Sequence, residues 1–298
     1  MDSIRDSMVK RAEDKGFTFF RETTWSSSLK QKDLSKVRDF LSNNFFGNVD
    51  VSLVVPMKNE NLDLKWVNYY DAGNDMQPCS TLQNKFIPAG SNNIKLTFCY
   101  FSEEEEKAKN SQTLYIVNSL RLIFGVPIAR ELIFVRRFST KSDAVMSSDV
   151  GYASVFITQS LNMFENPPIE GAELINISEE AMILLDKAFL QKYEIERFIL
   201  MWLAFEALGN DCFKGKNNGK KREWFCINEL KSSLINDEVN RLYRIRCDMF
   251  KEGKKSSSTM GDECWSLYAI LQLAIMKNCP QRDAFLRGYE KKLLAKNI

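Results

Sequence analysis

The feature that most limits what this chain can fold into is a change of texture at Pro167-Pro168, within Phe164-Glu-Asn-Pro-Pro-Ile-Glu-Gly171. Paired prolines are incompatible with helix and hold the chain extended, so this stretch reads as a linker. Short apolar runs of strand character mixed with helical periodicity precede it. From Ser178 onward almost every periodic segment is helical. The expected class is therefore α+β: an N-terminal mixed α/β region with an antiparallel-type sheet over residues 1–163, then a C-terminal α-helical bundle over 172–298.

Within the first part, Leu34, Val37 and Leu41 recur at helical spacing, predicting a helix over Leu29 to Leu41. Val49 to Val55, Leu64 to Tyr70, Ile94 to Phe101, Glu131 to Phe138 and Tyr152 to Thr158 read as strands, being rich in β-branched and aromatic residues. Ser102 followed by four glutamates suits a helix start, because a hydroxyl and acidic side chains meet unpaired backbone N–H groups there. That helix would run through Leu114, Val117, Leu120 and Leu122 to a stop at Gly125 and Pro127.

In the second part, helices are expected over Glu179 to Leu190, Tyr193 to Leu208, Arg222 to Ile235, Asp237 to Phe250, Asp262 to Met276 and Gln281 to Leu294. Two polar stretches, Asp211 to Lys221 and Glu252 to Gly261, read as loops.

No histidine occurs among the 298 residues. Ser–His and Cys–His catalysis and histidine-ligated metal sites are thereby excluded. No G-x-x-x-x-G-K-[ST] or G-x-G-x-x-G pattern occurs either, and no cofactor is implied. Seven widely spaced cysteines form no C-x-x-C pair. They suggest reduced thiols in a cytoplasmic protein, with neither a disulfide framework nor a metal site. The N-terminus lacks an apolar signal core, and the longest apolar run, Phe198 to Phe205, is far too short to span a membrane. Net charge is only +2, but from Gly209 to Met260 there are 12 Lys and Arg against 7 Asp and Glu. That surplus fits a polyanionic partner or an ordinary solvated surface.

On a helical wheel Val239, Leu242, Tyr243, Met249 and Phe250 form one apolar arc, and Arg246 lies in its middle. Arg241, Arg244 and Asp248 lie opposite, where charge belongs. A guanidinium on an apolar arc has three explanations: its head snorkels to water, a buried carboxylate pairs with it, or it lines a site for an anion. Glu206, which interrupts the apolar run from Phe198 to Leu208, is the obvious carboxylate.

Together, Glu196-Arg-Phe-Ile-Leu-Met-Trp-Leu-Ala-Phe-Glu-Ala-Leu208 and Leu242-Tyr-Arg-Ile-Arg-Cys-Asp-Met-Phe-Lys-Glu-Gly253 resemble the Apea-like branch of the HEPN superfamily, over about Ile177 to Leu294. The resemblance implies a compact helical bundle that dimerises, related to metal-independent ribonucleases of prokaryotic defence and toxin–antitoxin systems. It places the family's arginine at Arg246, its next polar residue at Cys247, its histidine at Lys251 and its acidic position at Glu206. Lys254 and Lys255 would add charge for RNA. The residues before the linker would recognise a trigger or protein partner.

The lysine at 251 matters because an imidazole titrates near pH 6.5, whereas an ordinary lysine stays protonated to about 10.4. Losing general acid–base help costs roughly 10²–10⁴ in rate. The expectation is RNA or nucleotide binding with cleavage weakened or lost. The alternative is a non-catalytic dimerisation or effector module, using Trp202-Leu203 and Trp265 to Ile275 as interface.

Overall fold

A computed structural model describes residues 9–45, 49–54, 65–66, 79–80, 92–109, 111–130, 132–141, 145–149, 171–191, 193–252 and 260–296. Five strands form one antiparallel sheet: β1 (Phe19–Ser27), β2 (Val49–Val54), β5 (Asn92–Tyr100), β6 (Leu132–Ser139) and β7 (Val145–Asp149), in the order β2-β5-β1-β6-β7. A separate two-residue ladder joins β3 (Lys65–Trp66) to β4 (Cys79–Ser80).

The central strand, β1, is absent from the expected strands. Its sequence, Phe-Phe-Arg-Glu-Thr-Thr-Trp-Ser-Ser, lacks apolar alternation because both faces are covered and its charges are paired sideways. Lys95 Nζ on β5 donates to Glu22 (3.1 Å), and Arg21 Nη1 donates to Glu106 (3.2 Å). Phe19 and Trp25 join the main core, while Phe20 packs on the other face with Phe17, Cys99 and Phe138. The strand expected over Tyr152 to Thr158 lies outside the described residues, as does most of that expected over Leu64 to Tyr70.

Residues 9–13 are helical (α1). The helix α2 (Leu34–Phe45) buries Leu34, Val37, Phe40 and Leu41 in the same core as Ile94, Leu96 and Phe98. The single helix expected after Ser102 is two: α3 (Glu103–Ala108) and α4 (Ser111–Phe124). Ser102 Oγ accepts from the Glu105 N–H as expected of a cap, and Glu105 in turn accepts from the Phe101 N–H (2.7 Å).

The C-terminal half consists of α5 (Glu179–Leu190), α6 (Glu194–Cys212), α7 (Asn218–Glu223) running into a π-helical turn at Trp224–Glu229, α8 (Ser233–Glu252), α9 (Gly261–Ile275) and α10 (Pro280–Lys296). Gly209 does not end α6. It gives room to Phe213, whose ring a Cβ there would meet at 3.0 Å. The helix expected over Arg222 to Ile235 is instead broken at Lys231 (φ 55°), and α8 begins at Ser233.

Apart from the small cluster around Phe20, the buried apolar residues form one core running from Phe19 to Leu293. α9 lies within it: Cys264 and every residue from Ser266 to Ile275 are buried. Arg121 on α4 is fully buried and ties the halves together. It donates to Asp186 on α5 (2.7 Å), Asn118 Oδ1, and the carbonyls of Ala129 and Arg130, with its guanidinium over the Trp25 ring. Four acceptors and an aromatic face compensate a charge that burial would otherwise penalise. Tyr268 on α9 donates to the carbonyls of Arg121 and Leu122. Among the described residues no helix is long and apolar enough to cross a membrane.

Candidate functional site

The two segments singled out in the sequence meet where α6, α7 and α8 come together. Trp202 on α6 is 1% exposed, and its ring lies 6.0 Å from that of Tyr243 on α8. Phe198, Trp202 and Phe205 form an aromatic seam along α6, extended through Phe213 to Phe225, which stacks on Phe213 at 4.4 Å. These ring contacts set the spacing of the three helices and thus the positions of the charged side chains among them.

The pairing of Arg246 with Glu206 does not occur. Glu206 Oε1 accepts from Arg222 Nη1 on α7 (3.3 Å). Arg222 is 8% exposed and lies between two rings, 4.2 Å from the Tyr243 centroid and 5.6 Å from that of Trp202. Its partner is nearer for a topological reason: α7 folds back along α6, with Lys221 Nζ donating to Asn210 (2.8 Å), one turn beyond Glu206.

Arg222 and the rings around it were missed in the sequence. Arg222 stands at the start of the helix expected over Arg222 to Ile235, directly after the polar run ending at Lys221, and only its spacing to Phe225 and Cys226 marks an inward arginine. Among the described residues, no carboxylate lies within ion-pairing distance of Arg246. The snorkelling and anion-site readings remain; the internal salt bridge does not.

Arg246 is half-buried, with its guanidinium carbon 5.0 Å from the Phe250 ring centroid one turn on. Three buried N–H groups in this corner lack a protein acceptor: Arg222 Nε, Arg246 Nε and Trp202 Nε1. Arg222 thus takes the one carboxylate that the sequence offered to Arg246, and Arg246 has none among the described side chains. The imbalance favours an acceptor-rich anion, since buried donors left unpaired cost about 1–3 kcal/mol each.

Arg241, placed with the solvated charges by periodicity, in fact joins α8 to α9. It donates to both carboxylate oxygens of Glu238 (2.8 and 2.7 Å) and to Glu263 (3.1 Å). Lys251 is in the last turn of α8, but its side chain lies outside the described residues, as do Lys254 and Lys255 entirely. Cys247 is a free, partly exposed thiol. Cys226, beside Arg222, is buried, and desolvation pushes its thiol up to about 12 against the pull of that arginine. It is no nucleophile at neutral pH. Among the described residues no group of three Cys, Asp or Glu side chains is placed to hold a metal ion.

None of the protein-family models, curated proteins or solved structures compared with the chain matches it.

Proposed function

We propose that the C-terminal helices form a HEPN-like domain that binds RNA or a nucleotide through Arg246, with cleavage weakened or lost because the family's histidine position is Lys251. The observation that carries this reading is the uncompensated guanidinium. Arg246 sits on the apolar arc of α8, has no carboxylate partner among the described side chains, and has a buried Nε–H without a protein acceptor. Phosphate oxygens match such donors in charge and geometry. The resemblance of α6 and α8 to the Apea-like branch supplies the class of ligand, and with it a role in prokaryotic defence or toxin–antitoxin biology.

In this reading Glu206 is a structural residue acting through Arg222, not a group that touches the phosphate. Lys251 adds charge without moving protons. The test is RNA binding by the whole chain as salt is varied. Affinity falls with rising salt, and Arg246→Ala weakens it while flattening the salt slope by about one. Salt-independent binding, or none at low salt, removes the proposal.

A second reading, a dimerisation module, draws on Ile195, Ile199 and Leu203, which form an outward stripe at four-residue spacing on α6; Ile195 and Leu203 are 38% and 36% exposed. The other surfaces expected for it, Trp202 and the Ser266 to Ile275 stretch, are core. Mass measurement in solution tests this reading, and a strict monomer at all concentrations discards it.

A further inference from the structure

Phe250 has a use that packing does not explain. It is 57% exposed and stands outside the apolar core that its neighbour Met249 helps to line. Among the described residues its ring lies against the Arg246 guanidinium, whose carbon is 5.0 Å from the ring centroid. An exposed aromatic surface one turn from a cation with unspent donors presents two kinds of contact at once. Few ligands use both. A flat, uncharged π-system joined to a phosphate does.

Resting on the anion-binding reading above, we propose that Phe250 is a stacking platform for an unpaired nucleobase whose neighbouring phosphate is held by Arg246. Stacking tolerates any base, because every base has a π-face. In a duplex those faces are taken by neighbouring pairs, so the ligand is a single strand or a free nucleotide. Arg246 then serves both parts of the ligand. Its guanidinium carbon lies 5.0 Å from the Phe250 ring centroid, and its terminal N–H groups take the phosphate oxygens.

The experiment uses the whole chain and a short end-labelled single-stranded oligoribonucleotide, followed by fluorescence anisotropy. The same strand annealed to its complement and unlabelled AMP serve as competitors. Phe250→Ala weakens binding about five- to hundredfold, the range for loss of one stacked base. Phe250→Leu, which keeps apolar volume but removes the π-face, weakens it similarly, and Phe250→Trp restores it. The salt slope is unchanged in all three, whereas Arg246→Ala lowers it. Competition by AMP as strong as by the unlabelled strand assigns the site to a free nucleotide; competition by the strand alone assigns it to RNA.

Wild-type binding that is lost in Arg246→Ala but unchanged in both Phe250→Ala and Phe250→Leu overturns this inference and leaves the anion site standing. Equal competition by the duplex also overturns it, as does a dimer that Phe250→Ala converts to monomer. No binding by the wild type at low salt overturns the anion site and the platform together.

Discussion

Arg222 Nη1 donates to Glu206 Oε1 at 3.3 Å, and this contact gives to α7 the carboxylate that the sequence offered to Arg246. α7 delivers its arginine into the place where the sequence suggested that α8 would deliver its own. The two arginines therefore have different roles. Arg222 is paired with Glu206 and sandwiched between Trp202 and Tyr243, whereas Arg246 has no carboxylate partner among the described side chains.

Their substitutions should separate accordingly. Arg246→Ala removes no ion pair among the described side chains, so urea unfolding should place it within about 1 kcal/mol of wild type. Glu206→Ala leaves the 8%-exposed Arg222 without its acid and should cost about 1–3 kcal/mol. The double change Glu206→Met with Arg222→Met should cost less than the sum of the singles. An Arg246→Ala cost as large as that of Glu206→Ala would show that Arg246 is structural after all.

The Arg121–Asp186 pair is the most consequential polar contact outside the site. Arg121 is fully buried, while Asp186 is a quarter exposed. Asp186→Ala removes the carboxylate that faces this buried guanidinium, leaves it only neutral acceptors among the described residues, and should cost about 3–5 kcal/mol, read by denaturant titration. Arg121→Met, which removes the charge itself, should be milder.

Thiol chemistry should divide the cysteines by burial. Desolvation raises Cys99 to about 11, and Cys226 and Cys264 to about 12, from an ordinary value near 9. These three should resist iodoacetamide at pH 8 until the chain unfolds, while the partly exposed Cys247 and Cys279 react in the native state. The same shifts fix the sign of an alkaline effect. The folded thiols hold their protons longer than the unfolded ones, so their contribution is complete below about pH 9 and is lost between there and pH 12. A stability that rises over that interval would contradict the burial of all three.

Gly215 has φ 153°, and a Cβ there would lie 2.6 Å from the Lys221 backbone nitrogen. Gly215→Ala should cost more than about 1 kcal/mol, because backbone cannot step aside as a flexible side chain can. It should also loosen the seat of Arg222, seen as lowered hydrogen-exchange protection in α7.

If Lys251 alone accounts for lost cleavage, Lys251→His should yield metal-free RNA cleavage that wild type lacks, with an optimum near neutral pH. Retained silence would mean that the rest of the cleavage geometry is missing too.

Most helices were legible because each repeats a local signal. Ser178 caps α5, and its hydroxyl accepts from the Ala181 N–H. Val239 and Leu242 lie on the buried face that their spacing assigns to α8. The inward setting of Arg246 follows from the same periodicity, since a helix positions every side chain about 100° from the last.

Partners were not legible, nor was the strand at the centre of the sheet. β1 is held by residues about 75 and 115 positions away, and its Arg21 and Glu22 are paired there with Glu106 and Lys95. Which arginine Glu206 takes likewise depends on how α7 folds back on α6, a contact between segments that no spacing along one helix encodes. Periodicity along the chain thus determined which faces turn inward, because it is a property of one element. Tertiary packing alone decided which charges are neutralised, because an ion pair depends on distance in space between elements that carry no mark of one another.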